Sequence, residues 1–502
     1  MTYHTEIENQ LDRIESEDKG RDRKEILILG AGMAGLAAGY ELASRGHQVK
    51  ILEASHRPGG RVWTHHFDSG QYGELGAMRI PGTHDYTRYY TKEMNLTLRE
   101  FVNSGDETYY DLEGLVCRAK DAPDKLVDLF NLSRKDRQTI QEEGTLDAVY
   151  LRVMAGVLQS LEKSDKDHLF DHGPLTDKLK YWDSQSLLHT FRMYADTPDA
   201  VRLMGKATVL DDYWQRSTLL FIREEIDDAF SGLEEIVDGM EELPKALADA
   251  SLPDGTTLRE RTDFCREVRA IEQTAEGLTV TFEHKHKDKT GELETVNAAY
   301  VLCTIPFSVL RRIDIKGLSG SKRIRDAIHG LGYQSATKVL VNCRERFWET
   351  EGIYGGASIS DSIIKQTYYP SDNKGNQKSS VTEGPGVLLG SYTWGATARR
   401  LGVLCQTELG QLVVDRIERF HSQIKHYVDE SQPYASMAWD QNPYAVGAFS
   451  STYPHDLQMF FPGVSQPANR LFFAGEHLSP YPTWIQGALW SALQAVEQMV
   501  IA

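Results

Sequence analysis

The hexad Gly30-Ala31-Gly32-Met33-Ala34-Gly35 is a G-x-G-x-x-G turn set between two segments of different period. Before it, Glu25–Leu29 is a short apolar run of the kind that forms a buried strand. After it, Met33 to about Ser44 has the small and apolar residues of a packed helix, and a second strand pattern, Gln48–Glu53, follows. A chain with this order is constrained to open as a βαβ unit. Gly30 permits the tight turn, Gly32 lets a pyrophosphate approach the backbone, and Gly35 lets helix and strand pack closely. The helix N-terminus at Met33 and Ala34 offers N–H groups and a positive dipole end to phosphate. Glu53 closes the second strand about 20 residues on, where a carboxylate accepts from an adenosine ribose hydroxyl. These residues specify a dinucleotide and leave NAD and FAD open.

The continuation favours FAD. After Glu53 and Ala54 the chain reaches Gly59-Gly60-Arg61, an E-x5-G-G-R run. This run resembles the two-dinucleotide-binding signature of the glutathione-reductase and amine-oxidase flavoproteins, in which Gly60 passes the diphosphate and Arg61 pairs with phosphate. Further motifs lie far apart. Asp238-Gly239-Met240 with Leu243-Pro244 resembles a G-G-M-x-x-L-P helix start, and Arg266-Glu267-Val268 a strand whose Val268 backbone contacts adenine. Thr304-Ile305-Pro306 resembles an A-x-P turn. Phe472-Phe473-Ala474-Gly475-Glu476-His477 is similar to the second flavin motif. With them the chain resembles the flavin amine oxidases over nearly its whole length, most closely the L-amino acid oxidase branch.

That resemblance implies that Gly475 and Glu476 meet the ribityl chain and that the helix from Trp484 and Ile485 points its N–H groups at the flavin pyrimidine. Where monoamine oxidases carry a flavin-linked cysteine, His477–Pro482 contains none, so noncovalent FAD is expected.

Gly76-Ala77-Met78-Arg79-Ile80-Pro81 resembles the G-x-M-R-x-P segment of L-amino acid oxidases. By that likeness Ala77, Met78 and Arg79 border the flavin, and Arg79 binds the substrate carboxylate, a task suited to a planar guanidinium. Tyr392 and Trp394, in Gly390-Ser391-Tyr392-Thr393-Trp394, fall where a tyrosine hydroxyl shares that carboxylate. Trp484 matches the aromatic over the substrate amine, and by the same resemblance Thr483 stands before it, where several relatives have Gly or Ala. Lys338 resembles the lysine that holds a water near flavin N5, and a lysine inside an apolar strand is costly to bury without a role. Lys338 and Trp484 are thus the expected catalytic residues. Trp214, with Asp211 and Asp212, is a candidate for shaping the substrate pocket, although such acids more often cap a helix.

The expected architecture is α/β plus α+β in three lobes. A discontinuous Rossmann-type FAD-binding domain takes 24–80, 235–330 and 440–502. A mixed-sheet substrate domain takes 81–121 and 331–439, a helical insertion 122–234, and an N-terminal arm 1–23. In the arm Ile7, Leu11 and Ile14 recur at helical spacing. Amphipathic stretches are read at Lys125–Leu132, Thr145–Leu161 and Thr218–Ala229, a hairpin turn at Ala275-Glu276-Gly277, and a polar loop at Ser371–Pro385. Strands are read at Glu267–Ile271, Leu278–Glu283, Tyr300–Cys303, Ala336–Cys343, Val387–Tyr392 and Leu471–Ala474.

A formal charge of -18 argues against nucleic-acid or anionic-membrane binding. Five scattered cysteines form no metal-spaced cluster and no disulfide framework, so no metal and a reducing compartment are expected. No apolar leader or membrane-length run is present, which fits a cytoplasmic enzyme. A homodimer or higher homo-oligomer is expected. The reading is FAD-dependent oxidative deamination of an L-amino acid by dioxygen, giving a 2-oxo acid, ammonia and hydrogen peroxide in amino-acid catabolism. An amine or polyamine oxidase, an amino-acid monooxygenase, a non-catalytic flavin-binding protein and, least, an NAD-dependent dehydrogenase stand as alternatives.

Overall fold

The computed structural model describes residues 4–170, 173–274, 277–286, 289–317, 322–374, 384–461 and 463–502. Five parallel strands stand in the order Leu471–Phe473, Tyr300–Cys303, Glu25–Leu29, Gln48–Leu52, Thr262–Asp263. Each is short, and none could bury its faces alone. Sequence segments hundreds of residues apart therefore meet in one sheet. Ile26, Leu27, Ile28 and Leu29 are buried at its centre. The helices Met33–Ser44 and Ile485–Ile501 pack together against it through Leu36, Leu42, Leu489 and Val496. The N-terminal segment forms the helix His4–Asp18, which lays the fully buried Ile7 and Ile14 on Ile485–Ile501.

A four-stranded sheet follows in the order Leu293–Ala298, Leu278–His284, Arg266–Gln273, Asp314–Lys316. Its first hairpin pairs Gln273 with Leu278; Ala275 and Glu276, where the turn is expected, lie outside the described residues. Most of the loop expected at Ser371–Pro385 lies outside them too.

The largest sheet has seven strands, ordered Tyr434–Ala438, Ala336–Cys343, Gly386–Trp394, Gln366–Tyr368, Ala357–Ser360, Tyr109–Leu112, Leu115–Arg118. Ala336–Cys343 is buried at every position. The period of two sorts its side chains: Val339 and Val341 meet Leu409, Val413 and Ile417, while Leu340 meets Leu75, Phe67 and Leu389 on the opposite face. Lys338 shares the face of Leu340 and lies opposite Tyr392 in the antiparallel register.

The insertion is helical, with Arg134–Glu143, Ala148–Gln159, Asp177–Ser184, Leu187–Tyr194, Pro198–Ala207 and Thr218–Ile226 enclosing one apolar core. One expectation fails here. Lys125–Leu132 is not one amphipathic helix but the end of Ala122–Lys125 and a 3₁₀ turn, Val127–Leu129. Ser133 caps the next helix by accepting from the Asp136 N–H at 3.0 Å, and an extended Phe130 leads into that cap. Among the described residues no helix is long and apolar enough to cross a membrane. No group of three His, Cys, Asp or Glu among them could hold a metal ion.

Candidate functional site

A single cavity of about 1330 Å³ runs from the end of the parallel sheet to the face of the seven-stranded sheet and on to the helical insertion. Gly30, Gly32, Met33, Ala34, Glu53, Ala54, Gly60, Arg61 and Val268 line one stretch of it. Ala77, Met78, Arg79, Lys338, Tyr392, Trp394, Gly475, Glu476, Thr483, Trp484 and Ile485 line the other. Two of the expected residues are elsewhere. Gly35 packs: a Cβ there would stand 2.0 Å from the Gly30 carbonyl oxygen. Trp214 is the second, and its expected pocket role is corrected. It stacks edge-on with Phe191 at 5.5 Å and covers Gly205, inside the helical core, while its neighbour Tyr213 reaches the cavity. Asp211 pairs with Lys365 at 2.7 Å, and Asp212 accepts from Thr397; neither lines the cavity.

The dinucleotide end fits the group it would hold. A Cβ at Gly32 would have nothing within 4 Å, so the backbone there faces open cavity. The helix that starts at Met33 has no side-chain cap, which leaves its N-terminus to a ligand. Glu53 Oε2 accepts from the Ala31 N–H at 2.7 Å and Oε1 from the Ser55 N–H at 2.8 Å, which locks the glycine turn to the second strand. One lone pair on each oxygen remains for a hydroxyl.

At the other end Glu476 is taken up by the protein. Its Oε1 meets Arg61 Nη1 at 2.7 Å, and its Oε2 accepts from Ser450 Oγ at 2.7 Å and the Thr483 N–H at 3.0 Å. The Ser450 N–H adds a donor at 3.1 Å. Burial raises its carboxyl, but Arg61 and these donors outweigh burial and hold it below the usual range. Glu476 is thus clamped by the protein, and Arg61 gives one nitrogen to that clamp. His477 turns away into apolar packing on Phe307 at 4.3 Å, where burial pushes its imidazole down to about 4.

Thr483 has φ +78, the left-handed region that favours glycine, so a β-branched residue is held there under strain. Trp484 follows as the residue before Ile485–Ile501. Its ring meets His84 at 5.1 Å and Phe230 at 6.0 Å, both edge-on, and His84 is itself held by Asp227 at 3.1 Å.

Arg79 is half-buried with no carboxylate in ion-pairing distance among the described residues. Its polar partners are neutral: Asn103 Oδ1 at 2.5 Å and Tyr368 OH at 3.3 Å. Phe230, Phe101 and Trp484 surround the guanidinium at 5.3, 5.9 and 5.9 Å. Lys338, 2 % exposed, donates to the Gly76 carbonyl at 2.6 Å and lies 4.6 Å from the Tyr392 ring centre. Burial drives its ammonium down, against the pull of Glu74. Burial likewise drives the Glu74 carboxyl up, opposed by the Met240 N–H, Lys338 and Thr64. Tyr392 and Trp394 stand edge-on at 4.9 Å.

Asn103, Tyr368, Phe230, Glu224 and Glu74 escaped the sequence reading. Asn103, in a loop, and Tyr368, at the end of a strand, carry no local signal, since only the tertiary fold brings them to Arg79. Glu74, five residues before Arg79, was the findable one: it is an acid inside a hairpin, Thr64–His66 with Tyr72–Glu74, whose alternation is short.

Residues 33–500 match the model of the flavin containing amine oxidoreductases. The chain is 34 % identical over 505 residues to the flavin-dependent L-tryptophan oxidase of Lentzea aerocolonigenes, covering 95 % of this chain and 98 % of the relative. It is 30 % identical to the L-amino-acid oxidase of Daboia russelii, covering 96 % and 90 %. Among solved structures, the cyclohexylamine oxidase of Brevibacterium oxydans superposes with TM-score 0.72 at 18 % identity, covering 95 % and 99 %. A putrescine oxidase bound to putrescine superposes with TM-score 0.69 at 17 % identity, covering 96 % and 100 %.

Proposed function

The chain belongs to the flavin-containing amine oxidoreductases, and from that premise we propose that it binds FAD noncovalently and oxidises L-amino acids to 2-oxo acids, ammonia and hydrogen peroxide. The observation that carries the amino-acid reading is Arg79. A guanidinium walled by aromatic rings and given only neutral partners is an anion site in want of an anion. An α-carboxylate supplies it; a plain amine does not. Noncovalent binding is supported by the absence of any cysteine from the cavity lining.

Gly32 and the helix N-terminus at Met33 would hold the pyrophosphate, Glu53 the ribose, and the start of Ile485–Ile501 the isoalloxazine. When bound, FAD supplies a two-electron acceptor that dioxygen can reoxidise.

The chain's own residues do the rest. Arg79, supported by Asn103 and Tyr368, fixes the substrate carboxylate and so one end of the molecule. Trp484, wedged between His84 and Phe230, limits where the amine can lie. The amine must lose a proton before the Cα–H bond breaks, because an ammonium has no lone pair to form the C=N bond. Lys338, its ammonium destabilised by burial, would order a water that takes part in that proton's departure. The substrate leaves as an imino acid, having given up a hydride equivalent and that proton, and water hydrolyses it to the oxo acid and ammonia.

A peroxide-coupled panel of L- and D-amino acids tests the reading. Peroxide with several L-amino acids and none with their D-forms is expected, with oxo acid as product. Amide and carbon dioxide in its place would identify a monooxygenase.

A further inference from the structure

Oxidation of an α-amino acid needs an anchor for the carboxylate and room for the amine; it does not need an acid among the side-chain walls. The helix Thr218–Ile226 supplies one. Leu220, Phe221 and Glu224 on one face of it line the cavity, and Asp228, one turn beyond Glu224, lines it from an exposed position. The other carboxylates withdrawn into this lining are engaged: Glu225 accepts from Tyr150 OH at 2.6 Å, Asp147 accepts from Thr145 at 2.5 Å, and Glu267 pairs with Arg269 at 2.7 Å. Glu53 and Glu476 are held as described above. Glu224 alone among the withdrawn ones has no ion pair and no partner besides the Trp484 indole. It lies beside the Trp484 indole, whose buried Nε1 has no partner of closer geometry. Arg79, on the same lining, acts on it through space without pairing.

We propose that Glu224 is a specificity-determining residue that receives the cationic side-chain end of a basic L-amino acid while Arg79 holds the carboxylate. This rests on the L-amino acid oxidase reading above. The cavity then has opposite charges for opposite ends of one substrate, with Leu220, Phe221 and Tyr213 against the methylene stem. Exposed Asp106, Glu143 and Asp228 stand on the same lining, with the exposed Lys120 beside them. The titration of Glu224 agrees. Burial pushes its carboxyl up to about 7, Glu225 and Asp227 push the same way, and Arg79 opposes them. Trp484 stands beside it, and the buried His84, whose imidazole burial drives down, meets the Trp484 ring edge-on. A cation arriving beside it ionises it and is held; an apolar side chain leaves it protonated.

The test compares kcat/KM for L-lysine and L-norleucine, which differ only in the terminal group, from about pH 6 to about pH 8. The ratio of the two cancels the α-ammonium titration that they share. For the native protein the ratio should favour lysine at least about tenfold, the scale of one charged hydrogen bond, and should climb as pH rises through about 7. L-glutamate should be a poor substrate. In Glu224→Gln the ratio should fall toward one and lose its pH dependence, with norleucine turnover kept within a few-fold. A native ratio at or below one, or a ratio unchanged by Glu224→Gln, overturns the proposal. The native pH series needs no variant, so a poorly folding Glu224→Gln does not remove the test. Norleucine oxidised without preference for lysine sinks this inference alone; no flavin reduction by any L-amino acid sinks the parent reading.

Discussion

Arg61 and Glu476, 415 residues apart in the chain, meet at 2.7 Å where the first and last flavin motifs come together. The pair ties the glycine turn after the second strand to the turn before the last helix, and Ser450 and Thr483 join the same carboxylate. Two distant parts of the sequence are thereby made one wall of the cavity. Glu476→Gln should destabilise the protein by about 3 kcal/mol, because it leaves Arg61 without its anion in a largely buried place. Arg61→Ala combined with Glu476→Gln should cost less than the two separate losses added together, a coupling that denaturant unfolding of the four proteins measures.

The same carboxylate gives a pH dependence with a definite sign. Its folded value lies below the ordinary 4.5 of a glutamate, so its contribution is complete above that value and is lost as pH falls through the lower folded one. Thermal unfolding from neutral to acid pH should show the native protein losing stability more steeply than Glu476→Gln in that acid window. Parallel curves would show that the clamp is not the group titrating.

Gly32→Ala and Gly35→Ala should part company. A Cβ at Gly32 meets nothing within 4 Å, so the variant should fold normally yet lose bound flavin, seen as a near-native unfolding midpoint with a weakened yellow absorbance. At Gly35 the Cβ would stand 2.0 Å from a carbonyl oxygen, so that variant should lose the folded state itself.

The βαβ opening was the most legible part of the chain. Glu25–Leu29, Met33 to Ser44 and Gln48 onward were readable because strand, turn and helix are local and the glycines have one geometric solution. The buried strand Ala336–Cys343 was readable from its apolar run. Trp214 was not, because an aromatic beside an acidic pair looks the same whether it faces a cavity or a helical core, and only the packing on Gly205 decides. Glu224 was invisible for the converse reason: Arg223–Glu224–Glu225 reads as a solvated charge run until the helix is docked with one face on the cavity. The neutral partners of Arg79 come from a loop near position 103 and a strand near 368, a pairing no spacing announces.

Thr483→Gly should stabilise the protein by up to about 1 kcal/mol, since relief of a left-handed φ exceeds glycine's added chain entropy. The Thr483 N–H that Glu476 accepts is a backbone group and survives the change. Calorimetry of the holoprotein checks this; a lower midpoint would mean that the threonine side chain holds something its strain does not reveal.

Lys338→Met should lower kcat/KM about a hundredfold or more while flavin content stays near native. It also removes one pull toward ionisation from the Glu74 carboxyl, which burial already raises to about 8 and which therefore stays protonated at neutral pH.

The central claim is that Arg79 makes this flavoprotein an oxidase of amino acids rather than of amines. Anaerobic stopped-flow mixing of the holoprotein with an L-amino acid, and separately with the amine left by its decarboxylation, tests it most directly. Fast bleaching of the flavin by the amino acid, negligible bleaching by the amine, and loss of about two orders of magnitude or more in the amino-acid rate for Arg79→Ala are predicted. Equal bleaching by both, or an Arg79→Ala rate within a few-fold of native, would contradict it.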